Sequence, residues 1–191
     1  MQRGLDCGGL VLENDEALYR RVRAGDEAAL DKLITRYHEP LFKFLYRMTD
    51  DPTLAEDLLQ ETFTRLITYR GRAPDRFRAW LYAIAANLAR DHFRSAYYRH
   101  TSTDGVDGLD VQASSIAEDA FLRSAQREHI AQALQQLTAE QREVVVLRFY
   151  HDLRLEEIAL ISNAPIGTVK SRLFYALKRL KTLLAVAEAQ R

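Results

Sequence analysis

The sequence LEEIALISNAPIGTVKSRLFYALKRLK, residues 155–181, decides the fold of the C-terminal third of the chain. Apolar residues at helical spacing predict a short helix over Leu155–Ser162 and a longer helix that begins at Ile166. Between them, Asn163 can adopt the left-handed conformation of a tight turn, and Pro165 suits the start of a helix. Two helices joined in this way are typical of a helix-turn-helix module.

The longer helix carries five basic residues and no acidic residue between Pro165 and Lys181. Its buried face is predicted to contain four apolar residues, at spacings of four, four and three: Val169, Leu173, Leu177 and Leu180. Polar side chains near the start of such a helix can reach base edges, and later cations meet phosphates. We therefore predict that roughly Ile166–Lys181 lies in the major groove of duplex DNA. A solvated cationic helix in an ordinary bundle is the alternative.

Composition favours an all-α protein that contains one or two small domains. The chain has 191 residues, 47% of them hydrophobic, with only eight Gly and four Pro. The 27 basic and 27 acidic residues cancel, but they are unevenly distributed. Eight arginines lie between Arg65 and Arg99, where the only acidic residues are Asp75 and Asp91. Together with the basic helix, this block indicates a nucleic-acid partner despite the zero net charge.

Several classes of protein are excluded by what the sequence lacks. No apolar stretch approaches the roughly 20 residues that span a bilayer, and no secretory signal pattern precedes the helices. Cys7 is the single cysteine, so an internal disulfide is impossible, and a redox or metal role for it stays an alternative. The five histidines are scattered, and no nucleophile–base pair or phosphate-binding loop is evident. We expect a cytoplasmic protein without membrane insertion, with no catalytic activity, cofactor, metal or small-molecule substrate.

Two helical domains joined by an acidic, extended, flexible linker are predicted. Residues 13–99 should form four helices, and residues 125–187 should form the domain that contains the helix-turn-helix. The linker, residues 100–124, begins HTSTDGVDGLDVQASSIA and contains five acidic residues, whereas no basic residue occurs between 101 and 122. The predicted starts of the helices are Asp15, Asp26, Thr53 (with Glu56 as capping-box partner), about Asp75, and Thr138 (with Gln141 as capping-box partner).

Aromatic residues lie among the arginines of the 65–99 block. Rings that stack on exposed bases, beside arginines that follow phosphates, suit single-stranded nucleic acid. The alternative is that Phe77 and Trp80 are core residues, and for Trp80 both roles are compatible.

Three segments then carry a resemblance to a known family. AEDLLQETFTRLI (55–67), FRAWLYAIAANLARDHFR (77–94) and LTAEQREVVVLRFYHDLRLEEIALISNAPIGTVKSRLFYALKRLK (137–181) resemble, in this order, a bacterial RNA polymerase sigma factor of the extracytoplasmic-function (ECF) group. The resemblance covers about residues 13–184. It implies a promoter-specificity subunit that binds core RNA polymerase, reads a duplex minus-thirty-five element and melts a minus-ten element.

The resemblance also implies roles for individual residues. Four positions match contacts with the clamp helices of the polymerase β′ subunit: Asp57, Gln60, Glu61 and Phe63. Four match positions near the minus-ten strand: Trp80, Asn87, Arg90 and Arg94. Seven match positions that face minus-thirty-five bases or phosphates: Thr168, Lys170, Ser171, Arg172, Phe174, Tyr175 and Arg179. Solvated charge for Asp57 and Glu61, a core position for Phe63 and a structural role for Asn87 are the alternatives.

Promoter DNA, the β flap of core polymerase and an anti-sigma protein are further partners that the resemblance implies. The acidic linker would thread toward the active-site and RNA-exit channels, or act as a tether. Some relatives carry Arg at the positions of Lys170 and Tyr175, so the preferred promoter should differ. The loop between Tyr69 and Phe77 is about two residues shorter than in some relatives. In the family this loop selects the flipped base, so the resemblance does not predict which base this chain captures.

Two other functions are compatible with parts of the pattern. One is a regulator that binds duplex DNA without polymerase, and the acidic linker and the aromatic–arginine block argue against it. The other is a nuclease or helicase accessory enzyme, and the absence of a metal-binding constellation argues against it.

Overall fold

The structure, a computed structural model, describes residues 13–100 and 128–189 and the side chains of 13–95 and 128–185. Within these ranges all regular elements are helices, which confirms the all-α class. They are α1 (Asp15–Arg23), α2 (Glu27–Thr49), α3 (Pro52–Thr68), α4 (Phe77–His100), α5 (128–135), α6 (Ala139–Phe149), α7 (Leu155–Ile161) and α8 (Ile166–Ala189). Cys7 and, apart from His100, the predicted linker lie outside the described residues. In the described part of the chain, the helices lack the length and hydropathy needed to cross a membrane.

Local capping rules account for most of the helix starts. Asp26 caps α2, and Thr138 and Gln141 form the predicted capping box of α6. Two predicted starts are wrong, because the N-caps are Asn14 for α1 and Asp51 for α3. In α3 the residue after the cap is a proline, and proline is favoured at the first helical position because it lacks an N–H.

A distant side chain sets the start of α4. The helix begins at Phe77 rather than near Asp75, and the Phe77 N–H donates to Glu16 Oε1 of α1 over 2.9 Å. Because the first N–H groups of a helix lack partners within the helix, a carboxylate at this position stabilises the start. The acceptor lies 61 residues away, so local sequence rules could not predict this boundary.

The hydrophobic core is continuous between the N-terminal helices α1–α4 and the C-terminal helices α5–α8. Leu41, Phe44 and Leu81 belong to the same buried cluster as Val146 and Ile158. Helix α7 packs along α4, and α6 packs against α2. The two predicted domains therefore share an interface, which the predicted tether between them did not anticipate.

The buried face of α8 differs from the prediction by one position. Val169 and Ala176 are fully buried, and Leu173 and Leu180 are half-buried against the core. Leu177, which was predicted to be buried, is exposed. A shift by one residue turns a helical side chain by about 100°, so Ala176 takes the inward position beside Leu134 and Val145.

Candidate nucleic-acid interface

The turn before α8 has the predicted left-handed residue. Asn163 has φ of 46°, and the N–H of Ala164 donates to the carbonyl of Ala159 over 3.0 Å. Asparagine tolerates this conformation better than most side chains do. The turn fixes the direction of α8 relative to α7, so these two helices form the helix-turn-helix that the sequence predicted.

Most of the predicted minus-thirty-five residues lie on the exposed side of α8. Phe174 is 64% exposed and Tyr175 is 59% exposed, with ring centroids 5.4 Å apart in an edge-to-face arrangement. Arg179 donates to the carbonyl of Gln136 over 3.1 Å, which ties α8 to the end of α5. Arg172 is half-buried. The other three are exposed: Thr168, Lys170 and Ser171.

The predicted polymerase-binding residues of α3 fall into two sets. Asp57, Gln60 and Glu61 are exposed, and Glu61 pairs with Arg65 one turn later at 2.8 Å. Phe63 is only 9% exposed and stacks on His38, with ring centroids 6.5 Å apart. The structure therefore places Phe63 in the core, beneath the surface that the other three residues share.

The predicted minus-ten residues share one face of α4. Their spacings of seven, three and four correspond to whole turns or nearly so. At one end, Trp80 is half-buried among aromatic rings, with centroids 5.2 Å from Tyr19 and 5.0 Å from Tyr69. At the other end, Arg94 is exposed. Trp80 also lines a groove between α4 and α7, opposite Leu160 and Ile166.

Arg90, in the same face, is bound by the C-terminal helices. Its Nη1 donates to both carboxylate oxygens of Glu143, over 3.0 and 2.9 Å, and its Nη2 donates to the carbonyl of Ile161 over 3.3 Å. Nη2 also donates to Oδ1 of Asn87, which is exposed. The Arg90 side chain is 18% exposed and that of Glu143 is 1% exposed. Two of the four predicted minus-ten residues thus belong to one network with α6 and α7.

Glu143 has a second partner, because the Ser162 hydroxyl donates to its Oε1 over 2.6 Å. Burial raises the pKa of the Glu143 carboxyl, and Arg90 and the Ser162 hydroxyl oppose that shift. Sequence reasoning missed both residues. For Glu143, the available signal was an acidic residue directly before the apolar run Val144–Leu147, all of which is buried.

His151, in the turn after α6, is a second buried polar contact between the two sets of helices. Its Nδ1 lies 2.9 Å from the Tyr82 hydroxyl, and Arg78 donates to its carbonyl over 2.5 Å. Its Nε2 is the one buried side-chain nitrogen or oxygen, among the described residues, that lacks a hydrogen-bond partner. Burial lowers the pKa of His151 to about 4, with smaller contributions from Arg47, Arg78 and Lys43.

Two family models match the chain. The model described as Sigma-70 region 2 matches residues 33–97, and the model described as Sigma-70, region 4 matches residues 133–182. The first match contains the α4 face and the α3 surface, and the second contains the helix-turn-helix.

Curated relatives match most of the chain. The RNA polymerase sigma-H factor of Pseudomonas aeruginosa is 32% identical over 177 residues, which cover 87% of this chain and 92% of that protein. The ECF RNA polymerase sigma factor SigW of Bacillus subtilis is 32% identical over 164 residues, which cover 81% of this chain and 88% of that protein. BldN of Streptomyces coelicolor, also described as an ECF RNA polymerase sigma factor, is 34% identical over 175 residues. The match covers 87% of this chain but only 64% of the length of BldN.

Solved structures have the same fold. CnrH, in complex with the cytosolic domain of CnrY, is 25% identical with a TM-score of 0.65, covering 90% of this chain and 97% of CnrH. The sigma factor RpoE from Bartonella quintana, in complex with the anti-sigma factor NepR, is 24% identical with a TM-score of 0.61. That match covers 82% of this chain and 96% of RpoE.

Proposed function

Because the chain belongs to the ECF group of RNA polymerase sigma factors, which direct transcription initiation, we propose that it reads two promoter elements with two different helices. Helix α8 reads a duplex minus-thirty-five element, and the Trp80–Arg94 face of α4 captures the melted minus-ten strand. The observation that carries the proposal is the exposed face of α8 between Ile166 and Lys181, where cations and two aromatic rings lie together and the sequence contains no acidic residue.

The exposed face of α8 has the chemistry needed to read base edges. Lys170 and Ser171 lie in the first turns of the helix, where side chains of a recognition helix reach the major groove. The rings of Phe174 and Tyr175 suit apolar contact with thymine methyl groups. Thr168, Arg172 and Arg179 suit phosphates. The hydrogen bond from Arg179 to the carbonyl of Gln136 holds the Arg179 side chain in position.

The α4 face has the chemistry needed to hold an unpaired strand. Arg90 and Arg94 supply positive charge, Asn87 supplies hydrogen bonds, and Trp80 supplies an aromatic ring for stacking. Melting requires no bond-breaking chemistry. It requires a surface that binds an unstacked base well enough to offset the unstacking cost, roughly a few kcal/mol.

The exposed residues of α3 form the proposed contact with the β′ clamp helices. Asp57, Gln60 and Glu61 would meet the polymerase, and Phe63 would support them from the core. In this scheme residues 13–99 and 125–187 are the two DNA-reading domains, and 100–124 is the linker between them. The C-terminal domain would meet the β flap, and an anti-sigma protein would regulate the chain in the cytoplasm.

Run-off transcription with core polymerase tests the proposal. A genomic promoter library is transcribed with and without the purified chain, and start sites are mapped. We expect a small set of transcripts that require the chain and share spaced minus-thirty-five and minus-ten sequences. The absence of any chain-dependent transcript would contradict the proposal, and tight binding of a palindromic duplex by the free chain would instead favour a regulator that acts without polymerase.

A charge-reversal pair tests the clamp contact separately. Asp57→Arg with Glu61→Arg should abolish co-elution with core polymerase. The two substitutions reverse the charge of the proposed contact surface, so groups on polymerase that attract the acidic side chains would repel the arginines. The control is Asp31→Arg on α2, which reverses one exposed acid outside the proposed contact and is compared with Asp57→Arg alone as well as with the pair. Equal polymerase binding by both variants would exclude α3 as the docking surface.

A further inference from the structure

The indole of Trp80 packs against aromatic rings from three parts of the chain. Its centroid lies 5.2 Å from the ring of Tyr19 in α1, 5.0 Å from that of Tyr69 directly after α3, and 5.9 Å from that of Phe77 at the start of α4. Tyr19 is 1% exposed and Phe77 is fully buried, whereas Tyr69 lies at the surface. Tyr19 and Phe77 therefore form a buried support for an indole that is itself half-buried.

The ring of Tyr19 is fixed at its hydroxyl end. The hydroxyl donates to the carbonyl of Leu66 over 3.3 Å, in the buried interior. Leu66 lies in the last turn of α3, where the carbonyl groups have no partner within the helix. The Tyr19 ring also packs on Phe77, with centroids 5.1 Å apart. One side chain of α1 thus joins the end of α3 to the start of α4, the helix that carries Trp80.

Helix α1 is itself bound to two other helices. Asp15 accepts hydrogen bonds from two side chains of α2. Glu16 accepts the N–H of Phe77, the first residue of α4, over 2.9 Å. Tyr19 therefore has a defined position relative to the first turn of α4, which begins three residues before Trp80.

An indole that is fixed in advance suits the capture of an unpaired base. Stacking requires the base and the ring to lie face to face, and a ring that rotates freely loses that freedom when the base binds. A ring that is already held in the binding orientation avoids this entropic cost. Tyr19 can supply this support whether or not DNA is bound, because its side chain is buried and anchored within the chain.

We propose that Tyr19 is a positioning residue for strand capture, which holds the Trp80 indole in the orientation that an unpaired base of the minus-ten strand requires. Tyr19 is buried and does not contact the DNA itself. It acts through Trp80, so α1 becomes part of the machinery that melts the promoter. This inference rests on the proposed function of the α4 face, because it needs Trp80 to be a contact of the captured strand.

The test measures promoter opening by the full chain bound to core polymerase. The promoter is one mapped by run-off transcription, and its minus-ten strand carries 2-aminopurine, whose fluorescence rises when the base unstacks. Tyr19→Leu removes the supporting ring but keeps an apolar side chain, and it should lower the opening rate by about tenfold, a part of the stacking contribution. Tyr19→Phe keeps the ring and loses only its anchor, so the rate should fall by about twofold to threefold. Binding of either variant to core polymerase should not change.

The mobility of the indole can be measured directly in the free chain. Trp80 is the single tryptophan, so the anisotropy decay of tryptophan fluorescence reports on this ring alone. Tyr19→Leu should add a fast local motion of the indole, and Tyr19→Phe should add less of it. An indole of unchanged mobility in Tyr19→Leu would overturn the positioning role.

Tyr37 of α2 offers a matched control. It is also a buried tyrosine, and its hydroxyl donates to Asp15. Its ring packs on Phe77 with centroids 5.7 Å apart, but none of the described ring contacts joins it to Trp80. Tyr37→Leu should therefore destabilise the chain to a similar extent, as measured by urea unfolding, while the opening rate and the indole mobility stay as in the unchanged chain.

A double-mutant cycle shows whether Tyr19 acts through Trp80. Trp80→Leu should lower the opening rate at least as much as Tyr19→Leu does, and the two substitutions together should lower it no further. Losses that multiply would overturn the inference, and so would equal opening rates for Tyr19→Leu and Tyr37→Leu. An unchanged opening rate for Trp80→Leu would instead show that Trp80 is not a strand contact. That result would overturn the proposed function of this residue, and it is distinguishable from a failure of Tyr19 alone.

Discussion

The predicted DNA-binding faces of α8 and α4 share the same chemistry but differ in exposure. Both combine basic and aromatic side chains on one side of a long helix. The α8 face is open to solvent, with Phe174 and Tyr175 more than half exposed. On α4, by contrast, helix α7 packs along part of the face, and Arg90 binds Glu143. Composition can therefore predict a binding face, but only packing shows how much of that face is exposed.

The difference in exposure follows from the side chains that each helix presents to the other helices of the chain. On α4, Trp80 and Ala83 present apolar surface beside the charged network, so α7 can bury area while Glu143 satisfies Arg90. On α8, the buried side is already filled by Val169 and Ala176 against α6. Its opposite side has no described acidic partner, so it stays free for a polyanion.

The largest expected effect separates Arg90 from Arg94, two arginines of the same face. Arg90→Ala leaves the buried Glu143 carboxylate without its cation, so the free energy of unfolding should fall by up to about 3–5 kcal/mol. Arg94 is exposed, and Arg94→Ala should change the same quantity by less than about 0.5 kcal/mol. Urea unfolding followed by circular dichroism measures both.

The two arginine variants should nevertheless have the same effect on promoter opening. Each lacks one cation of the proposed strand-binding face, so permanganate footprinting with core polymerase should show reduced melting in both cases. Equal unfolding free energies for Arg90→Ala and Arg94→Ala would show that the Glu143 contact contributes nothing to the stability of the folded chain.

The next effect concerns promoter choice by α8. Lys170→Ala and Tyr175→Ala should each lower transcription from the preferred promoter by about 10- to 100-fold, because one base contact contributes about 1–3 kcal/mol of discrimination. Both side chains are exposed, so folding and polymerase binding should not change. Transcription of a library of minus-thirty-five variants measures the shift, and the exposed Lys181→Ala is the control for loss of positive charge. Loss of core binding in either variant would contradict the separation of the two surfaces.

A smaller effect, dependent on pH, probes the contact between His151 and Tyr82. The folded chain holds the pKa of His151 at about 4, below the ordinary value of 6.5, so the unfolded chain binds the proton more readily. This contribution to stability is therefore complete above about pH 6.5 and is lost as the pH falls toward 4. At about pH 5 the loss should be about 2 kcal/mol relative to about pH 7.5.

His151→Gln isolates that contribution, because an amide can still pair with the Tyr82 hydroxyl but does not titrate. The raised pKa of Glu143 contributes with the opposite sign, but it is common to both chains and cancels in the comparison. A parallel pH dependence for His151→Gln and the unchanged chain would exclude His151 as its source.

Local features were predictable from the sequence, whereas contacts between the N-terminal helices α1–α4 and the C-terminal helices α5–α8 were not. The Thr138 capping box and the left-handed Asn163 follow from rules that act over a few residues. The pairing of Arg90 with Glu143 joins positions 53 residues apart, and neither helical periodicity nor charge pattern selects that partner. The site residues on α4 were thus proposed from chemistry and resemblance, whereas the contacts of Arg90 with α6 and α7 became visible only in three dimensions.

The smallest expected effect concerns the turn that sets the direction of α8. The α4 face lies within one uninterrupted helix and does not depend on such a turn. Asn163 has φ of 46° and an exposed side chain, so substitutions there act mainly through the backbone. Asn163→Ala should lower the free energy of unfolding by about 1 kcal/mol, because a β-carbon is unfavourable in this region and alanine lacks the local hydrogen bonding of asparagine. Asn163→Gly should be neutral or slightly stabilising. Urea unfolding measures both, and equal values for the two variants would show that the left-handed turn does not limit stability. If the Ala variant also changes promoter choice while polymerase binding persists, the direction of α8 depends on this single backbone angle.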